Sequence, residues 1–155
     1  MSTIEVNEVA DLVTVQAMRF YARQSRLIDS GDAAGWAQTF TPDGVFASPS
    51  YPEPATGTRQ LIAFGKRFAA GNASGTVSRH VLTNVDVLPG ADDDKLVVHA
   101  YLQIVATPRG EFSRLLRLTT ITDQLVRFDG AWRVAHRQVL RDDEEPTRIS
   151  TESNA

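Results

Sequence analysis

The second half of the chain constrains its fold most. Val77 to Leu88, Lys95 to Thr107, Phe112 to Phe128 and Trp132 to Leu140 are four long runs rich in Val, Ile, Leu, Thr and aromatic residues. They are separated by Pro89-Gly90-Ala91-Asp92-Asp93-Asp94, by Pro108-Arg109-Gly110 and by Asp129-Gly130, which supply turn chemistry. An Asp-Gly pair between apolar runs is a strong hairpin signal, because both central residues of that turn take positive φ. Four such strands in succession predict an antiparallel meander.

The first half predicts helices. From Val9 to Ile28 the apolar residues Val9, Leu12, Val13, Ala17, Phe20, Leu27 and Ile28 recur at helical spacing, and Gly31 ends the pattern. Asp32 is placed to cap a second helix through Phe40, with Trp36 and Phe40 on one face. Thr41-Pro42-Asp43-Gly44 reads as a turn, Val45 to Ala47 as a short strand, and Ser48 to Gly57 as a loop whose prolines prevent regular pairing. Thr58 is placed to cap a third helix through Ala70, with Leu61, Phe64 and Phe68 inward and Gly71 ending it. Helices followed by a meander define the α+β class, with the helices packed on one face of a curved antiparallel sheet.

At 155 residues, 42% of them hydrophobic, the chain fits one domain, expected over 1–141; the acidic, Ser/Thr-rich stretch 142–155 lacks periodicity and is expected to be a disordered tail. A formal net charge of −3 gives no basic field to gather nucleic acid or anionic lipid. The absence of cysteine excludes thiolate nucleophiles and cysteine-ligated metals. The first residues carry acids where a signal peptide needs bases, and no apolar run approaches a membrane span, so a cytoplasmic protein is expected.

No metal motif or phosphate-binding glycine loop is present: His80, His99 and His136 belong to no HxH or HExxH pattern. General acid/base chemistry remains, and His80 suits it because an imidazole both accepts and returns a proton near neutrality. Tyr21, Ser25 and Asp29 share one face of the first helix, and a carboxylate in its last turn is opposed by the helix dipole and calls for a cationic partner. The residues alone leave two readings open, an Asp29–His80 pair or a turn-forming Asp29 with a core His80. Gln24 falls on the buried side of the first helix and would face a ligand or a buried partner. Tyr51 could roof a cavity, while His99, Tyr101 and Gln103 alternate with Ala100, Leu102 and Ile104, either set being a possible inner face. Arg133, Arg137 and Arg141 fall together on one face of the last strand, read as solvated.

The runs Asp29-Ser-Gly-Asp-Ala-Ala-Gly-Trp36 and Phe40-Thr-Pro-Asp-Gly-Val-Phe46, then Arg79-His80 with Asn84, then Gly130-Ala-Trp-Arg-Val134, resemble the SnoaL-like branch of the nuclear-transport-factor-2-like superfamily over about residues 8–141. The resemblance implies a cone-shaped α+β barrel around an apolar cavity, in a homodimer packed through the sheet. The functional pattern is similar to scytalone dehydratase and the bile-acid dehydratases, which use an Asp–His pair without a cofactor. Their aspartate matches Asp29 and their histidine His80; a third polar residue falls near Gln103 and a C-terminal arginine near Arg141. Gln24 stands where the bile-acid enzymes carry a tyrosine, with Tyr21 one turn earlier. The implied function is a dehydratase, isomerase or cyclase acting on a hydrophobic, carbonyl-bearing, polyketide-like molecule. The expected substrate contacts are Tyr21, Gln24, Tyr51, Tyr101, Gln103 and Arg141, with no metal and no cofactor. A noncatalytic binding or accessory protein and the small subunit of a ring-hydroxylating dioxygenase are the alternatives.

Overall fold

The stripe Ala17, Tyr21, Gln24 and Ile28 forms the buried side of α1 (Asp11–Asp29), which lies against the sheet. The computed structural model describes residues 9–72 and 75–143. From residue 144 on, the expected acidic tail lies outside the described residues. Gly31, at φ 83, turns the chain after α1, and Asp32 caps α2 (Ala33–Ala37) by accepting from the Gly35 amide at 2.8 Å. α2 is shorter than predicted. Phe40 opens β1 (Phe40–Ala47), and the residues expected to form a turn are an irregularity within that strand, where its register shifts between Phe40 and Val45. Inside the predicted loop, β2 (Ala55–Thr56) pairs with β1 despite Pro54. α3 (Gly57–Gly71) then buries Leu61, Phe64 and Gly65.

The meander is present as expected, with β3 (Thr76–Pro89), β4 (Lys95–Pro108), β5 (Arg114–Phe128) and β6 (Ala131–Arg141). Asp129 and Gly130 take φ 49 and 76, as their hairpin turn requires. The strand order is β2-β1-β6-β5-β4-β3, so the curved sheet is open, with β2 and β3 at its edges. It is antiparallel except that β1 runs parallel to β6. Along β4 the apolar set Leu96, Val98, Ala100, Leu102 and Ile104 faces the core. That settles the face left open by the sequence: Tyr101 is exposed and Gln103 half-buried on the outer side.

Two extra residues decide which side chains enter the core. On β3, Thr83 pairs with Tyr101 and Asp86 with His99, which leaves one residue over; Asn84 sits there at φ 52. On β6, Val134 pairs with Leu125 and His136 with Gln124, so Ala135 is the extra residue. This bulge reverses the alternation. Trp132 and Val134 face the core before it, Arg137 and Val139 after it. The reading of Arg137 as a solvated residue is therefore corrected. Among the described residues, no helix is long and apolar enough to cross a membrane.

Candidate active site

Asp29 is the last residue of α1 and points its carboxylate toward β3. Its Oδ1 lies 2.7 Å from His80 Nδ1, and both carboxylate oxygens lie 3.1 Å from the His80 backbone nitrogen. These two N–H groups offset the unfavourable placement of a carboxylate at a helix C-terminus. The pair is nearly enclosed, with side chains 14% (His80) and 8% (Asp29) exposed. A carboxylate only accepts hydrogen bonds, so Nδ1 carries the proton and Nε2 holds the lone pair. Phe68 packs on the ring at a centroid distance of 4.9 Å, and Nε2 has no hydrogen-bond partner among the described residues.

His80 lines two spaces. One is a partly open cavity of about 50 Å³ between the helices and the sheet. Its aromatic wall is built from Trp36, Phe46, Tyr51 and Phe64, whose ring centroids lie 4.6 to 6.1 Å apart, and Leu102 and Val139 line it from the sheet. Gln24, Thr119, Arg117 and Arg137 are among its polar residues; Arg117 lies 6.0 Å from the centroid of the Tyr51 ring. The other is an open groove of about 820 Å³ between α1 and β3, bordered by Tyr21, Asp29 and Arg79.

A second polar cluster, which the sequence reading missed, lies behind the cavity. Asp123, fully buried on β5, accepts from Arg137 Nε at 2.8 Å and Nη2 at 2.7 Å, and from the Tyr21 hydroxyl at 2.9 Å. Arg137 Nη2 also donates to Gln24 Oε1 at 2.7 Å, and Gln24 Nε2 donates to Thr39 Oγ1 at 2.7 Å. Burial raises the Tyr21 hydroxyl pKa well above its usual value, and the Asp123 charge adds to that. For Arg137, burial favours the neutral form, but the Asp123 charge and hydrogen bonds outweigh it and leave the pKa raised. Asp123 did leave a signal. It continues the inward series Thr119 and Ile121 and precedes Leu125, where an acid needs a cation.

The structure thus brings Asp29 and His80 together and places Gln24 and Tyr51 on the cavity. Tyr21 borders the groove, its hydroxyl committed to Asp123. Tyr101 and Gln103 lie on the outer sheet face, away from the cavity, because the inward positions of β4 are the apolar ones. Arg141 lies at the end of β6, bonded to Asp143 at 2.8 Å and outside the cavity lining. Arg137, earlier on the same strand, lines the cavity, as does Arg117 on β5. Among the described residues, no three His, Asp or Glu side chains come together in a metal-binding group.

A family model described as a SnoaL-like domain matches residues 12–138. The chain belongs to this SnoaL-like family. Among solved structures it is similar to Aln2 from a Streptomyces species, at 29% identity and a TM-score of 0.79 over 87% of this chain and 94% of that one. A protein from Catenulispora acidiphila in complex with S-DNPA is similar at 26% identity and a TM-score of 0.75, over 86% and 96%. An NTF2-like protein with a cystatin-like fold from Novosphingobium aromaticivorans shares the fold, with 19% identity and a TM-score of 0.73 over 93% and 94%. No curated protein matches this sequence.

Proposed function

We propose that this chain is a cofactor-independent lyase or isomerase that uses His80 as its proton-transfer group on a hydrophobic, carbonyl-bearing small molecule of polyketide type. The observation that carries this reading is the Asp29–His80 pair, with Nδ1 held by the carboxylate at 2.7 Å and the ring lining an aromatic-walled cavity. Nε2 takes a proton from the carbon alpha to the carbonyl, and the C–H electrons pass to the carbonyl oxygen as an enolate. In a dehydration the enolate expels the β-hydroxyl, which leaves as water with the proton returned by His80. In an isomerisation the same proton goes back to a different carbon. Asp29 orients the ring and balances the imidazolium that forms.

The S-DNPA complex of the Catenulispora protein supports a small-molecule ligand for a relative of this fold. Turnover of β-hydroxy aromatic ketones by wild type and by His80→Gln tests the reading. The variant should be folded and slower by about 10²-fold or more. Equal rates would show that His80 is not the base and would favour a binding or accessory role.

The reading extends to a homodimer through the outer sheet face. Val81, Gln103 and Leu118 form one row there, and Thr83, Tyr101, Thr120 and Leu140 the next. Val81, Tyr101, Leu118 and Leu140 are all exposed, a contiguous apolar surface of the kind a second copy covers. Sedimentation of Tyr101→Arg tests it: a monomer is expected from the variant and a dimer from wild type, whereas monomeric wild type would contradict the reading.

A further inference from the structure

Arg137 has more donors than its buried partners use. Its guanidinium carries five N–H groups, of which Nε and Nη2 serve Asp123 and Gln24. The Tyr21 hydroxyl is a further hydrogen-bonding neighbour of the guanidinium, and the bonds to Asp123 and Gln24 are made by Nε and Nη2, not by Nη1. Every fully buried side-chain nitrogen and oxygen among the described residues is paired, and Arg137 as a whole is only 4% exposed. Arg137 lines the same cavity as His80, and that is where a donor not committed to Asp123 or Gln24 can be reached.

We propose that Arg137 is a second catalytic residue, whose Nη1 donates to the carbonyl oxygen of the substrate and to the enolate that oxygen becomes. The inference rests on the acid/base reading of His80 and names the electrophile which that reading lacks. Of the substrate contacts expected from the sequence, the Tyr21 hydroxyl is donated to Asp123, one N–H of the Gln24 amide is donated to Thr39, and Tyr101 is on the outer face.

Both groups are held from α1, Arg137 at Gln24 and His80 at Asp29, each at 2.7 Å, and both line the cavity. The C–H bond breaks, the proton moves to His80 Nε2, and the electron pair settles on an oxygen that already faces a fixed cation. Two bonds to Asp123 and one to Gln24 hold the guanidinium before substrate arrives, so little reorganisation accompanies the charge development. Asp123 and Gln24 are positioning residues for that donor.

The test uses para-substituted phenols of graded acidity, which mimic an oxygen carrying increasing negative charge, titrated into the whole protein below their pKa values. In wild type, affinity should rise about tenfold from the least to the most acidic phenol, and the Arg137 guanidinium resonances should shift on binding. Arg137→Lys keeps a cation opposite Asp123 but removes the fork, and should flatten the series to within about twofold. Its rate on a ketone substrate should fall by about 10²-fold with KM little changed. His80→Gln should keep the phenol series while losing proton transfer, so failure of the base and failure of the donor give different results. A wild type with no acidity dependence or no phenol binding, or a folded Arg137→Lys that keeps the full dependence, overturns the proposal. If Arg137→Lys does not fold, the wild-type guanidinium shift decides: its absence on phenol binding overturns the proposal.

Discussion

Asp29 accepts hydrogen bonds from two nitrogens of the same residue, the backbone N–H of His80 at 3.1 Å and its ring Nδ1 at 2.7 Å. The first bond fixes the carboxylate relative to β3, and the second then fixes the ring tautomer. The neutral ring should show Nδ1 protonated and Nε2 bare in its 15N spectrum. In Asp29→Asn the new amide can donate to Nδ1, which moves the proton to Nε2 and removes the lone pair from the cavity. That variant should therefore lose activity by about 10²-fold or more while its backbone stays unchanged. A wild-type ring with its proton on Nε2 would contradict the assignment.

Asp123 and Arg137 are register partners on β5 and β6, 0% and 4% exposed. Removing one partner leaves the other as an uncompensated buried charge. Asp123→Ala should cost about 3 to 5 kcal/mol in urea denaturation, well above the effect of breaking an exposed pair. The double variant Asp123→Leu with Arg137→Met should regain much of that loss, because it removes both charges and leaves no orphan. A single substitution costing under about 1 kcal/mol would show that the pair is hydrated.

Tyr21 gives the fold a dependence on alkaline pH. Its hydroxyl pKa is raised in the folded chain by burial first and by Asp123 second, so the native state holds this proton more tightly than the unfolded state. That contribution is complete below the unfolded value of about 10 and is lost progressively as pH rises above it toward the folded value. Thermal unfolding from pH 9 to about 11 should show a falling Tm in wild type and a shallower fall in Tyr21→Phe. Equal slopes would place the alkaline sensitivity elsewhere.

Much of this architecture was legible from local signals. The long β-rich runs, the Asp129-Gly130 turn and the stripe of α1 each have one dominant reading, and each is seen in the structure. Asp29 and His80 stood out because a C-terminal carboxylate and a lone imidazole each call for a partner. What stayed hidden depended on register. Strict period-two counting carries Arg137 to the outside with Arg133, and only the extra residue at Ala135 turns it inward. A bulge of that kind comes from pairing with a neighbouring strand and leaves no mark in the alternation itself. Arg141, the arginine that the family resemblance pointed to, lies outside the cavity lining, whereas Arg137 lies on it. Tyr101 and Gln103 were ambiguous for a related reason: a strand with apolar residues on one face and mixed ones on the other does not say which face is covered.

Solvent deuterium incorporation tests the central claim most directly. Incubated in D2O with an enolisable aromatic ketone, the wild-type protein should exchange the proton alpha to the carbonyl at least about 10²-fold faster than His80→Gln, read by mass spectrometry. Exchange at the same rate in both proteins would contradict the assignment of His80 as the proton-transfer group.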